Sequence, residues 1–223
     1  MKMGWLLGWA IPESWFAEQV RAAFPADEHH FFAAVPGALA LMAAAGPFDW
    51  VAGYSLGALI LLLEADRAAA LGRVALLAPI WAFPAEDKLG GRVARAQVRA
   101  LAQWLRRDEA AAIADFYDRA GLDIPAGTTL AVPREQLLWG LTGLEKLRVD
   151  GGLPAGWRAW CGADDALIDA QLLQAKVPEV SLVPQATHEP GRLLAAFAAA
   201  LAAPAPESAQ TEPISGAAPA AGA

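Results

Sequence analysis

The chain is poor in the residues that bind metals or cross-link secreted folds. It holds one cysteine and three histidines in 223 residues. Cys161, alone, cannot form an internal disulfide, and no cluster with metal-ligand spacing is present, so neither a disulfide scaffold nor a metal site is expected. A single cysteine in an apolar run fits a reducing compartment, hence a cytoplasmic setting. Long apolar runs are also missing. The opening segment is broken by Pro12 and Glu13 and no small-residue cleavage site follows, so no signal peptide is expected, and no stretch is long enough to span a bilayer. There is no phosphate-binding loop and no internal repeat. The formal charge of −7 argues against nucleic acid as a partner, because most of the surface repels it. What is abundant is alanine, which swells the 56% hydrophobic fraction and favours helices. The length suits one α/β domain with a sizeable core.

Apolar strand-like runs alternate with helical ones, the pattern of a mostly parallel sheet covered on both faces. Strands are expected near 3–7, 29–35, 48–53, 73–78, 156–161 and 179–183, and helices near 13–24, 37–45, 56–70, 167–175 and 190–202. The interval from Ala82 to Asp150 breaks the alternation and reads as helical throughout, punctuated at Gly90-Gly91, Gly121, Pro125, Gly127 and Pro133. Lying between two strands, it is expected to form a helical lid. The stretch from Ala203 is low in complexity and rich in proline and alanine, and is expected to be disordered.

Ser55 sits in Gly53-Tyr54-Ser55-Leu56-Gly57, after the run Phe48 to Ala52 and before the helical run Ala58 to Leu63. This is Gly-x-Ser-x-Gly in a strand, turn, helix context. A serine at the tip of such a turn projects its hydroxyl above the sheet edge. The helix N-terminus points positive charge at it, and the glycines let helix and strand approach closely. In the fold that such a pentapeptide marks, the general base follows the serine in the chain, and His188 is the only histidine after Ser55; it lies in the loop after the last expected strand. His29 and His30 precede Ser55 and mark a strand start. An acid to orient the imidazole belongs between them, where Asp164 and Asp165 compete in the loop after the Trp157 strand. Oxyanion donors are expected from the Leu56 N–H and, after the first strand, from the Trp9 N–H.

These features resemble the α/β-hydrolase superfamily, and more narrowly the pimeloyl-[acyl-carrier-protein] methyl ester esterases of biotin synthesis. The resemblance rests on Leu7-Gly8-Trp9, on Gly53 to Gly57, and on Gly162 to Asp165 followed by His188. In the lid it rests on Ala114 to Tyr117, Leu138 to Leu141 and Leu144. It implies an α/β-hydrolase fold shortened at its N-terminal side, since the two strands that usually precede the oxyanion loop are absent. Leu7 stands where a histidine is common and Ala10 where a second glycine is common. The family spacing of glycine, two residues, then aspartate selects Asp165, leaving Asp164 as the alternative. The resemblance implies a cofactor-free serine esterase that attacks the methyl ester of a carrier-bound acyl chain. Trp81, Phe116, Tyr117 and Trp139 are candidates to line an apolar acyl channel, or simply to build core.

One feature points to an anionic partner independently. Lys88, Arg92, Arg95, Arg99, Arg106 and Arg107 fall within twenty residues that contain no acid before Asp108. Arg92, Arg95 and Arg99 follow helical spacing and are expected on one face, where they would steer an acidic acyl carrier protein; the plainer alternative is a solvated helix face. Two other readings stay open: a general short-chain carboxylesterase or thioesterase with the same triad, and a non-catalytic interaction protein on the same scaffold.

Overall fold

In a computed structural model of the chain, described for residues 1–203, a six-stranded sheet forms the centre. Its strands are β1 (Lys2–Leu6), β2 (Glu28–Phe32), β3 (Trp50–Tyr54), β4 (Arg73–Leu77), β7 (Arg158–Gly162) and β8 (Val180–Val183). They pair in the order β2-β1-β3-β4-β7-β8, all parallel. The chain starts at β1, steps outward to β2, then crosses to the other side of β1 and continues to β8. The loops after β1 and β3 therefore part in opposite directions, leaving a crevice at the carboxyl ends of these two strands. Leu6 pairs with Gly53, so the chain leaves both strands at one level.

The inner strands are buried on both sides and read as continuous apolar runs, as a covered parallel sheet requires. One face packs on α9 (Pro190–Ala202) and α1 (Glu13–Ala23). Its focus is Phe197, fully buried, whose ring lies 6.2 Å from Trp5, 5.3 Å from Trp50 and 5.2 Å from Trp160. Because side chains alternate along a strand, Gly53 faces the opposite way from Trp50. There it meets α3 (Leu56–Leu63): a Cβ on Gly53 would stand 2.8 Å from the Cα of Ala58.

Two expectations are corrected. The single helix read over 56–70 is two, α3 and α4 (Ala65–Ala69), because Glu64 leaves helical geometry at φ −116°, ψ 42°. The interval 82–150 is not helical throughout. It opens with two short parallel strands, β5 (Ala82–Pro84) and β6 (Gly90–Val93), before α5 (Arg95–Arg107), α6 (Glu109–Ala120) and α7 (Arg134–Lys146). Gly91 permits this pair, since any side chain there would run into the Phe83 carbonyl oxygen. Ala82 bridges Arg148, closing the stem of the insertion, and Gly91 bridges Ile168. The last inter-strand helix is α8 (Ala170–Lys176). The tail expected to be disordered lies, from residue 204 on, outside the described residues. Among the described residues no helix is long and apolar enough to cross a membrane, and no group of His, Cys, Asp and Glu is placed to hold a metal.

Gly57 of α3 and Gly143 of α7 differ in what surrounds them. A methyl on Gly57 would collide with the Leu6 and Leu7 carbonyl oxygens, which are backbone and cannot yield; a methyl on Gly143 would meet only Leu147 Cδ1, at 3.3 Å. Gly57→Ala should therefore lower stability by about 2 kcal/mol or more, a fall of roughly 4–8 °C in melting temperature. Gly143→Ala should be neutral or stabilising, helped by about 1 kcal/mol of helix propensity. Thermal melts of both variants check the contrast.

Candidate active site

Ser55 is the residue between β3 and α3, and its backbone stands at φ 54°, ψ −115°. That is sparsely populated space for a residue with a side chain, and it is retained only where the surroundings over-determine it. Here they do. The Ser55 N–H donates to the Leu77 carbonyl at 2.9 Å, and the Ser55 carbonyl accepts the first bond of α3, from Leu59 N–H at 3.1 Å. Gly53 and Gly57 let α3 close against β3 and against the end of β1.

The structure brings Ser55, His188 and Asp165 together from three loops at the carboxyl ends of β3, β8 and β7. His188 Nε2 lies 3.1 Å from Ser55 Oγ, and His188 Nδ1 lies 2.8 Å from Asp165 Oδ2. Asp165 and His188 are buried, at 0% and 1% exposure, while Ser55 retains 6%. The second oxygen of Asp165 accepts from the Leu167 N–H at 2.8 Å and the Ile168 N–H at 3.0 Å, so the buried carboxylate is fully engaged. These bonds assign the tautomer: an acceptor at Nδ1's side requires a proton on Nδ1 and leaves Nε2 free to accept from the serine hydroxyl. Asp164 is exposed, and contributes only its N–H, to the Ala186 carbonyl at 2.9 Å. Of the two aspartates, Asp165 is the one that reaches the imidazole.

One positioning residue, Tyr54, escaped the sequence reading. Tyr54, next to Ser55, donates its hydroxyl to the His188 carbonyl at 2.6 Å, tying the histidine loop to the strand that carries the serine. Burial, and then the nearby Asp165 charge, push its phenol well above the ordinary tyrosine value, so it stays a donor. Gly162 has the Ala186 and Thr187 carbonyl oxygens against the place a Cβ would occupy, which lets the loops of Asp165 and His188 meet. Its spacing before Asp165 was a visible signal; Tyr54 had none, since its position in the pentapeptide accepts any residue.

Trp9 and Leu56 flank the serine. A Cβ on Gly8 would lie 3.2 Å from Ser55 Cβ, so the segment after β1 passes directly beside the serine. The Leu56 N–H is the first of α3 and has no intrahelical partner. The lid residues divide. Phe116 packs edge-on against Trp9, centroids 4.7 Å apart, and lines an apolar cavity of about 650 Å³ between α5, α6, α7 and β5. Its walls include Phe83, Val98, Leu101, Trp104, Leu144 and Leu167, and the charged Arg107, Asp108, Asp115 and Arg119 also border it. The other three expected channel residues do not line this cavity. Trp81 is buried and donates to the Gly151 carbonyl at 3.0 Å; Tyr117 donates to the Ala10 carbonyl at 2.6 Å; Trp139 is exposed on α7. The apolar positions 98, 101 and 104 of α5 were the readable sign of the cavity wall, masked by the basic residues between them.

The basic stretch also differs from expectation. Arg92 lies in β6, so it does not share a helix face with Arg95 and Arg99. Arg95 is held by Asp87 at 2.8 Å and by the Glu145 carbonyl, and Arg99 pairs with Glu145 at 2.7 Å. These two cations tie α5 to α7 and to the turn at 85–87. Among the described residues Arg92, Arg106 and Arg107 form no ion pair.

Known structures with this architecture are numerous and distant in sequence. An esterase from Exiguobacterium antarcticum superposes with a TM-score of 0.67 at 11% identity, over 91% of this chain and 90% of its own. The bottromycin epimerase BotH gives 0.58 at 17% identity, over 90% and 89%. The RedJ thioesterase of prodiginine biosynthesis from Streptomyces coelicolor gives 0.52 at 15%, over 89% and 84%. No protein-family model matches the chain, and no curated protein matches it by sequence. The fold is that of the α/β-hydrolases.

The hydrogen bond at Nδ1 is directly observable. In proton NMR the buried Nδ1–H should resonate far downfield in the wild type and in Asp164→Asn. It should be missing in Asp165→Asn, whose amide no longer demands that tautomer, and in His188→Gln. A signal lost with Asp164 instead would assign the acid to the other aspartate.

Proposed function

We propose that the protein is a serine hydrolase acting on carboxylic esters. The observation that carries this is the chain of bonds from Ser55 through His188 to buried Asp165, anchored on a serine with left-handed backbone. His188 Nε2 takes the hydroxyl proton as Ser55 Oγ adds to the ester carbonyl. The Trp9 and Leu56 N–H groups stabilise the oxyanion, and His188 returns the proton to the departing alkoxide. Water then cleaves the acyl-enzyme by the same path reversed. Asp165 holds the imidazole tautomer and stabilises its charged form. The fold alone does not fix the chemistry, since an epimerase shares it; the triad geometry favours the hydrolase.

Within that class, we read the substrate as an acyl chain carried by an acidic protein, with pimeloyl-carrier methyl ester the specific candidate. The motif resemblance supports it, as does a lid cavity of about 650 Å³ with apolar walls. The cationic surface for the carrier is Arg92, Arg106 and Arg107 rather than the Arg95 and Arg99 pairs. The thioesterase likeness favours a second reading, hydrolysis of a carrier thioester by the same residues. A reducing, cytoplasmic setting accords with either.

The reaction class is tested with a soluble nitrophenyl ester and a fluorophosphonate probe. Ser55→Ala and His188→Ala should each lower kcat by roughly 10⁴-fold or more, with the double variant little worse, because the residues act as a unit. Ser55→Ala should lose probe labelling entirely. Losses that multiply in the double variant, or labelling that survives without Ser55, would remove the proposal.

Charge reversal separates the substrate readings. Arg92→Glu with Arg106→Glu, neither of which lines the cavity, should raise KM for a carrier-bound ester while kcat/KM for the nitrophenyl ester stays put, and added salt should mimic the change. Arg95→Glu, which breaks the α5–α7 tie, should impair both substrates alike. Salt-independent turnover of the carrier substrate would leave a general esterase.

A further inference from the structure

The segment after β1 is pinned at three points, and two of them belong to the lid. Below Trp9, the Leu7 N–H donates to the Phe32 carbonyl of β2 at 2.9 Å. Above it, the Tyr117 hydroxyl of α6 donates to the Ala10 carbonyl at 2.6 Å. To the side, the Trp9 indole Nε1–H donates to the Leu137 carbonyl of α7 at 2.8 Å, with Phe116 edge-on to the ring. Gly140 makes room for that indole; a Cβ there would stand 2.6 Å from Trp9 Cδ1 and 3.1 Å from Leu56 Cδ2. The lid thus touches the side chains of both residues assigned as oxyanion donors and leaves their N–H groups alone.

Ala10 shows why such support is needed. It stands at φ 54°, a conformation natural to glycine and unfavourable by roughly 1–2 kcal/mol for a residue with a Cβ. Backbone of this kind persists only where its neighbours hold it. The group holding its carbonyl is a phenol on another element, 107 positions away in the chain. Burial pushes that phenol up to about 12, so it remains a donor at any neutral pH.

We propose that Tyr117 is a positioning residue for catalysis, which through the Ala10 carbonyl fixes the peptide presenting the Trp9 N–H, so that the lid is a working part of the oxyanion hole. This rests on the serine-hydrolase reading above. An oxyanion donor counts only when aimed at where charge develops, and small misplacements lower rate rather than ground-state binding. A lid that lifts would break the Tyr117 and Leu137 bonds together, so turnover is coupled to closure.

The test compares Tyr117→Phe with wild type on a nitrophenyl ester and on two inhibitors. A trifluoromethyl ketone accepts Ser55 Oγ to form a hemiketal oxyanion; the matching carbinol forms none. Tyr117→Phe should lower kcat about tenfold with KM within about twofold. It should weaken the ketone by the same factor as kcat/KM and leave the carbinol unchanged. Gly140→Ala, which displaces the Trp9 indole, should give the same signature without touching Tyr117. Trp15→Phe removes another lid-to-body hydrogen bond, from Trp15 Nε1 to the Asp123 carbonyl at 3.0 Å, and should keep wild-type kinetics. Full retention of kcat in Tyr117→Phe overturns the proposal. A raised KM at constant kcat, or equal weakening of ketone and carbinol, makes Tyr117 a wall of the substrate cleft instead. Equal losses in Tyr117→Phe and Trp15→Phe mean simple lid anchoring. A wild type that neither hydrolyses esters nor labels with fluorophosphonate fails at the earlier step, and both readings fall together.

Discussion

The close approach of α3 to the end of β1 is the contact on which the rest of the site depends. Gly57 lies against the Leu6 and Leu7 carbonyl oxygens with no space for a side chain. That approach forces the chain to turn sharply at Ser55, which accepts left-handed backbone as the consequence. It also sets the segment Leu7 to Ala10 beside the serine, because β1 and β3 are neighbours in the sheet. Ser55, the first N–H of α3 and the segment that carries Trp9 are thereby brought side by side before Asp165 or His188 is considered.

The other half of the site is assembled on the far strands, and backbone governs it too. β7 and β8 pair through Gly162 and Val183, and the loops that follow touch where Gly162 has no side chain. Asp165 enters a pocket of backbone N–H groups and a single imidazole. Its carboxyl group can be buried at that depth because both of its oxygens have hydrogen-bond partners, the Leu167 and Ile168 N–H groups on one and His188 Nδ1 on the other. Tyr54 then links the two halves, since it sits on the strand that leads into Ser55 and its hydroxyl reaches the His188 loop.

The 82–150 insertion packs on this centre through polar as well as apolar contacts. Phe116 presents one side to the cavity and the other to Trp9. Whatever fills the cavity therefore lies one ring away from Trp9. The arginines that looked like a docking stripe are in part the cross-ties of the lid itself. Arg95 and Arg99 bind carboxylates because α5 packs on both α7 and the turn at 85–87, which bring Asp87 and Glu145 to them.

Much of the molecule was legible in the sequence because it is written locally. Alternating strand and helix runs follow from hydrophobic periodicity, and the Ser55 turn from two glycines at fixed offsets. His188 was identifiable by chain order alone, being the only histidine after the serine. The choice of Asp165 over Asp164 needed a family spacing; the structure supplies the physical ground, since only one of two adjacent side chains in a loop can turn inward to the imidazole. What stayed hidden are relations between distant positions. The pairing of Arg95 with Asp87 and of Arg99 with Glu145, the β5–β6 pair within an apparently helical stretch, and the link from Tyr117 to Ala10 have no local signature. Tyr117 looked like a channel aromatic because composition records its ring. Only tertiary structure determines where its hydroxyl ends, because that depends on which carbonyl the packing of α6 brings within reach.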